Sequence, residues 1–500
     1  MAKVKITGHA SGTGVITVTA PNTSTDRTIT LPDGTGTLSF GSSTAEIKSA
    51  ITLQTTATSN IGLGANAVDS ITTGDYNVGV GDNALDATTT GTMNIAVGHL
   101  ALGSNTEGSY NTALGRASMQ SNTTGTLNVA VGLASLDANT SGTKNVAVGK
   151  DAMYRNTTGD SNVASGYQSL YNNTTGTNNT ADGYQALYTA TTAANNTAVG
   201  NQSLYYTTTG ASNTAVGRHA LLSNTTGYDN TAVGKDALDA HTTGNYNVGV
   251  GSGALGACTT GTQNTAVGVS ALIFNTTASN NTAMGFKALN RNTTGVEMVA
   301  FGKGALESNT TGNSTIGIGT RALENHSTGG NNIAVGTNAG RTDSPSGNLT
   351  TQSNRIVLGN NDITHFYCKA SLTATSDKRD KADVTASTIG LSFVNKLKPV
   401  TYKWDERSNY VTEEDINTID LNTIVPDGTH KKDAVEIGFL AQDVEEIEEE
   451  YGHRVSDKTN LITDLTDDGK HYALKYERLI PILTKAIQEL SDKVTALENA

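Results

Sequence analysis

The sequence predicts a mainly β fold: a parallel β-solenoid, or β-roll, of seventeen 17-residue coils, then a small α+β domain ending in a coiled-coil helix. Three observations carry this. A glycine recurs at Gly64, Gly81, Gly98, Gly115, Gly132 and onward by seventeen to Gly336, sixteen steps without an insertion or deletion. The charge changes at residue 376: residues 376–500 hold 26 acidic and 16 basic side chains, a net of −10, against 20 and 17, a net of −3, in residues 1–375. In residues 471–500, apolar side chains fall at alternating steps of four and three. The expected divisions are a β leader over 1–54, a repetitive shaft over 55–340, junction strands over 341–375, and a C-terminal domain over 376–500 with a coiled coil at 476–497.

Within a coil the residues select short strands over helices. NTALGRASMQSNTTGTL (111–127), NVAVGLASLDANTSGTK (128–144), NTAVGRHALLSNTTGYD (213–229) and NTAVGKDALDAHTTGNY (230–246) share one plan. A fixed period of this kind marks stacked coils and outranks local propensity. The Asn-x-Ala-x-Gly stretch alternates, with Thr112 and Leu114 on one face and Ala113 on the other. A second short strand is expected at Ala-Leu or Ser-Leu, followed by a polar turn such as Asn122-Thr123-Thr124-Gly125. There glycine takes positive φ cheaply, and Asn and Thr satisfy turn backbone with their own side chains. Each coil is expected to bury two or three aliphatic side chains, Val216 and Leu221 for example, while Ala215 and Gly217 opposite allow close approach of another copy. Stacked at the usual strand spacing, the coils make a rod roughly 80 Å long. So slender a core favours several chains about one axis, with three the preferred number.

Ahead of the shaft, residues 8–40 read as strands VITVTA and RTITL with turns at Pro21-Asn22 and Pro32-Asp33-Gly34. Behind it, LSFVNKLKPVTYKWDE (391–406), EIGFLAQDVEEI (436–447) and HYALKYERLIPILTKAIQELSDKVTALENA (471–500) read as globular protein with a helical tail. Tyr476, Ile480, Leu483, Ile487, Leu490, Val494 and Leu497 form a heptad seam, with Ile, Ile and Val at a and Tyr and three Leu at d. That choice leans toward a parallel dimer, against the threefold preference from the shaft. The alternative is an amphipathic helix packed on its own domain.

Composition narrows the function classes. A net charge of −13 argues against a broad nucleic-acid surface. No apolar run approaches the ~18 residues of a membrane helix, and MAKVKITGHASGTG lacks the apolar stretch of a secretory signal. Cys258 and Cys368 belong to no metal or disulfide pattern and read as small buried or half-buried residues. No cofactor and no metal ligand set is expected. NVGVGDNAL (77–85) has two glycines but neither the third glycine nor the helix of a nucleotide loop. Asn-x-Thr triplets such as Asn275-Thr276-Thr277 read as turn chemistry rather than glycosylation sites. Tyr205, Tyr206, Phe274 and Phe286 could face a glycan, but one ring per coil is expected to be edge packing. The acidic side chains of the shaft are isolated, so no paired-carboxylate glycosidase site stands out.

Several resemblances rest on these residues. The Asn-x-Ala-Val-Gly units resemble the head repeats of trimeric autotransporter adhesins, which implies a trimeric parallel β-roll over about residues 55–340. TAPNTSTDRTITLPDGTGTL resembles N-terminal segments of marine-phage tail fibres, which implies docking to phage tail or baseplate proteins. Four motifs lie in order in the last quarter: Ser376-Asp377-x-Arg379-x-Lys381, Leu397-Lys398-Pro399-Val400-x-Tyr402-x-Trp404, Ile437-Gly438-Phe439-Leu440-Ala441-Gln442-Asp443-Val444, and Tyr476-x-x-Leu479-Ile480-Pro481 with Ala486-Ile487-Gln488-Glu489-Leu490. Together they resemble the intramolecular chaperone domain of phage endosialidases and other tail spikes and fibres. The resemblance implies a domain that trimerises, drives folding of the β-fibre ahead of it, and then cuts itself off.

It also implies the site. In that family a serine opens the released domain and a lysine lies five residues on, here Ser376 and Lys381. Serine needs a base to attack a carbonyl, and lysine serves only when its amine is neutral. Burial, or the neighbouring cations Lys378 and Arg379, is the expected means of favouring that form. The expected cleavage lies between Thr375 and Ser376, a single-turnover serine autoproteolysis. Out-of-register pairing of near-identical coils gives such a domain a purpose, since a slip by seventeen loses little. The leading expectation is a homotrimeric phage tail fibre in the virion, made in the host cytoplasm, that meets a host surface receptor, with a glycan the expected one. No membrane insertion is expected. The alternatives are a polysaccharide-degrading tail spike and a cellular trimeric adhesin.

Overall fold

The computed structural model describes residues 59–369, 375–411, 419–466 and 469–500. The leader strands and turns expected within 1–54 lie outside the described residues. The chain divides into two compact units, Met1–Asn247 and Val248–Ala500. In the first, eleven three-residue strands run from β1 (Ile61–Leu63) to β11 (Thr231–Val233). Neighbours pair in parallel at an offset of seventeen, as Thr214 with Thr231 and Ala215 with Ala232. In the second, seven strands run from β12 (Val248–Val250) to β18 (Ile356–Leu358). Both are stretches of parallel β-solenoid, and the fold class is the one the period predicts. The last step is longer. Ile356 pairs with Ile333, an offset of 23 residues, so β18 forms within the expected junction.

The second strand expected of each coil does not form. The Ala-Leu segment is a turn in which His219 and Leu221 take φ of 59° and 51°, and the same alternation recurs in coil after coil. Bulky side chains are disfavoured there. What holds them is stacking: the Leu221 N–H donates to the Ala237 carbonyl at 3.0 Å, and Ser223 N–H to Asp239 at 3.0 Å. Coil-to-coil hydrogen bonds thus continue without strand geometry.

The two faces of the coil are also the reverse of the expected assignment for Ala215 and Val216. Ala215 and Leu221 are buried, while Val216 is 37% exposed. Space decides this. Where glycine replaces the central alanine, a Cβ at Gly79 would already lie 3.1 Å from the Val68 side chain, and one at Gly317 would lie 3.1 Å from Leu306. The interior across from the strand admits a methyl group and little more, so valines and threonines point outward. Gly217 does not face a free side either. The glycines that recur every seventeen residues from Gly64 to Gly336 all hold φ between 122° and 144°, and a Cβ on Gly217 would lie 2.5 Å from the Gly234 carbonyl oxygen.

Buried asparagines complete most coils, with Met298 and Thr315 in their place in two. Asn213 Oδ1 accepts from the backbone N–H of Asn230 at 3.1 Å and from its Nδ2 at 3.2 Å. Asn230 Nδ2 also donates to Gly244 O at 3.0 Å. A second ladder joins Asn105, Asn122, Asn139, Asn156 and Asn173 through amide contacts of 2.7–2.8 Å. It stops at Ala190, leaving Asn173 Oδ1 without a partner. The turn asparagine does bond its own turn, Asn122 Nδ2 donating to Gly125 O at 3.1 Å.

Beyond the solenoid lies a small α+β fold. β19 (Val400–Tyr402) pairs antiparallel with β20 (Glu436–Gly438), and β21 (Thr463–Leu465) with β22 (Tyr472–Leu474). Helices α1 (Leu391–Val394), α2 (Ala441–Glu450) and α3 (Leu479–Glu498) enclose a core of Ile389, Phe393, Val444, Ile447, Ile462, Leu479 and Ile482. Buried Glu448 on α2 accepts the backbone N–H of Leu461 at 2.9 Å and of Thr463 at 3.2 Å, and the Thr463 hydroxyl. α3 carries two apolar stripes. Leu479, Ile482 and Ala486 are buried on the domain, while Ile480, Leu483, Ile487, Leu490, Val494 and Leu497 are all exposed. Tyr476, the first residue of the expected seam, sits in a 3-10 turn ahead of α3, where its hydroxyl accepts the Phe439 N–H at 3.2 Å.

Candidate functional site

The site lies where the charge pattern changes. Thr375 and Ser376 are exposed. Asp377 then begins a 3-10 turn over Lys378–Asp380, and its carboxylate accepts the Arg379 N–H at 2.9 Å. Lys381 ends the turn in extended conformation (φ −117°, ψ 134°), and its own N–H bonds Lys378 O. This fold-back brings Lys381 Nζ to 2.6 Å from Ser376 Oγ, the amine donating to the hydroxyl. The two residues expected to form a dyad are therefore in hydrogen-bond contact. The same contact serves base chemistry once the amine is neutral and accepts the serine proton.

Two expectations about their surroundings change. Ser376 and Lys381 are exposed in the single chain rather than buried. Arg379 is not a free cation beside Lys381, because its guanidinium is bound to Asp377, with Nε at 3.1 Å from both carboxylate oxygens and Nη2 at 2.6 Å from Oδ2. That guanidinium, with the Arg379 N–H, holds the Asp377 carboxyl below the usual carboxylate range.

The other side chains singled out earlier fall into the solenoid. Asn275 is buried, its Nδ2 donating to Ala278 O at 3.0 Å. Tyr205 ends a stacked run, Tyr154, Tyr171, Tyr188 and Tyr205, with ring centroids 5.1–5.2 Å apart, and Tyr206 meets it edge-on. The run recurs at the coil period and was not legible as a unit from single rings. Phe274 and Phe286 are exposed, with Lys287 Nζ 5.5 Å from the Phe286 centroid. Cys258 is buried, its thiol pushed up to about 11 by desolvation, whereas Cys368 is exposed, contrary to expectation. Among the described residues no group of three or more His, Cys, Asp or Glu could hold a metal ion, and no helix is long and apolar enough to cross a membrane.

No match to a curated protein is found. Residues 376–453 match the family model described as chaperone of endosialidase, a match that opens on Ser376 itself. The C-terminal region is similar to that chaperone, and a parallel β-solenoid ahead of such a domain fits a tail fibre with a C-terminal chaperone.

Proposed function

We propose that the chain is a virion structural protein, a homotrimeric tail fibre for host attachment. Its C-terminal domain assists trimerisation and folding and then cleaves itself off between Thr375 and Ser376. The observation that carries this reading is the 2.6 Å contact between Ser376 Oγ and Lys381 Nζ at the first residue of the chaperone match. In the proposed reaction, Ser376 Oγ attacks the Thr375 carbonyl carbon, and neutral Lys381 takes the hydroxyl proton. The C–N bond breaks, the proton passes to the departing Ser376 nitrogen, and an ester links Thr375 to Oγ. One water then hydrolyses the ester, giving the Thr375 carboxylate and restoring the Ser376 hydroxyl beside a free amine. The dyad is exposed in the single chain, and assembly is the step that would partly bury it and favour the neutral amine.

Two uncovered apolar surfaces support assembly from like chains. One is the outward side of the solenoid strands, with Ile95, Val97, Leu114, Val216, Phe301 and Ile318 exposed. The other is the α3 seam. A partner with the same seventeen-residue period matches the first surface coil for coil, and another copy of this chain has that period. The leader is assigned to docking on the phage tail or baseplate and the shaft to meeting a host receptor.

The test is intact mass of the purified wild type beside Ser376→Ala and Lys381→Ala. Wild type should give fragments 1–375 and 376–500, and both variants a full-length chain. Soluble wild type that stays intact would sink self-cleavage, and variants that still cut would sink the dyad. Sedimentation of the uncut Ser376→Ala chain should give three copies; two would favour the dimer that the heptad seam suggests.

A further inference from the structure

The four charged residues between the dyad members have a geometry of their own. The 3-10 turn over Lys378–Asp380 buries none of its residues, so packing does not fix it. Yet the dyad depends on it. Five residues in extended chain span about 17 Å, well beyond what the serine and lysine side chains can bridge, so contact requires the fold-back. Two backbone hydrogen bonds close the fold-back, Asp380 N–H to Asp377 O at 3.2 Å and Lys381 N–H to Lys378 O at 3.3 Å, and one carboxylate braces it. Asp377 binds the Arg379 backbone N–H at 2.9 Å and, through both oxygens, the Arg379 guanidinium at 2.6–3.1 Å. The main chain and the side chain of one residue are thus tied to the residue two before it. An exposed ion pair contributes little by itself, but the bidentate fork adds geometric specificity, and here it closes a ring around the turn.

We infer that Asp377 and Arg379 form a clamp that positions Lys381 against Ser376. The inference rests on the self-cleavage proposed above. Neither residue touches the scissile carbonyl in this assignment; both act through the turn. The side chains of Lys378 and Asp380 lie outside the ring and make none of its contacts.

The test is the first-order rate of self-cleavage of the full chain, followed by intact mass during cell-free synthesis across a range of pH. Arg379→Ala and Asp377→Ala should slow cleavage about 10- to 100-fold, the scale of a misplaced reacting group. Asp377→Asn keeps a cap acceptor and loses the ion pair, while Arg379→Lys keeps the charge and loses the fork. Both should fall between the alanine variants and wild type. The slowing should be uniform with pH, leaving the midpoint of the rate profile in place. A moved midpoint would instead mean that these charges tune the base, and would overturn positioning. Each substitution paired with Ser376→Ala should sediment like Ser376→Ala alone, and cleavage rates of the clamp variants equal to wild type would overturn the clamp. If Ser376→Ala itself still cuts, the dyad fails and the clamp with it. A silent Ser376→Ala beside a full-speed Arg379→Ala removes the clamp alone.

Discussion

In the solenoid, a buried amide finds its partner in the equivalent residue one coil away, as Asn213 does with Asn230. In the C-terminal domain, buried Glu448 instead gathers N–H groups from Leu461 and from Thr463 at the start of β21. The first arrangement is repeated and the second is single. Repetition spreads stability thinly over equivalent coils and says little about which coil should face which. A single arrangement concentrates stability in a few side chains and admits one register. The domain with one solution is thus suited to setting the alignment of the region with many.

The largest expected effect probes the concentrated side. Phe393 is fully buried in the small core, and Phe393→Ala should cost about 4 kcal/mol. Hydrogen exchange on the uncut Ser376→Ala chain should show faster exchange across 376–500 with the solenoid unchanged. Loss of protection in both regions alike would erase the contrast. Next comes a ladder residue. Asn139→Ala removes the contact to Asn122 Oδ1 at 2.7 Å and that from Asn156 at 2.8 Å, for about 2 kcal/mol. Its exchange effect should stay within the adjoining coils.

The broken ladder offers a gain. Ala190→Asn would give Asn173 Oδ1 its missing donor. It is best paired with Ala193→Gly, because at the equivalent Gly176 a Cβ would lie 2.4 Å from Asn173 Oδ1. The double variant should stabilise that stretch by about 1 kcal/mol, read as a higher thermal midpoint; a lower one would count against the ladder as a stabilising unit.

The smallest effect is a pH dependence. Buried His326 sits between Asn309 Oδ1 at 3.3 Å and the Asn332 amide nitrogen at 3.0 Å, an environment for neutral imidazole. Burial lowers its folded pKa. The unfolded chain therefore binds the proton more readily. Stability should fall as pH drops below about 6.5 and level off once the folded value is passed. His326→Asn should flatten the response, measured as thermal midpoint against pH.

The period and the change of charge at 376 are legible because each is a matter of counting, whereas the pairing of Ser376 with Lys381 comes only from the resemblance to the chaperone family. The inward face was not. Val216 outranks Ala215 on any hydrophobicity scale, and only the distance from Gly79 to Val68 shows that the interior has room for a methyl. Leu221 in a left-handed turn was equally hidden, since leucine signals a strand or a helix but not positive φ. The apolar row from Ile480 to Leu497 is legible from its spacing, but the second stripe at Leu479, Ile482 and Ala486, which divides α3 between two tasks, is not. At the junction, Asp377 and Arg379 looked like members of a charge run, and their mutual contact depends on a turn that no propensity announces.

The recurring glycine bears on how such a chain changes length. Each lies against the backbone of the next coil, so residues added inside one coil must loop out if the following coils are to stay in step. The one longer step among the described coils, from Gly336 to Gly359, places its six extra residues ahead of β18, the last strand of the solenoid, where little remains to misalign. Shafts of this kind should therefore lengthen and shorten in the gene by whole units of 51 nucleotides, the coding length of one seventeen-residue coil, each worth about 4.8 Å of reach.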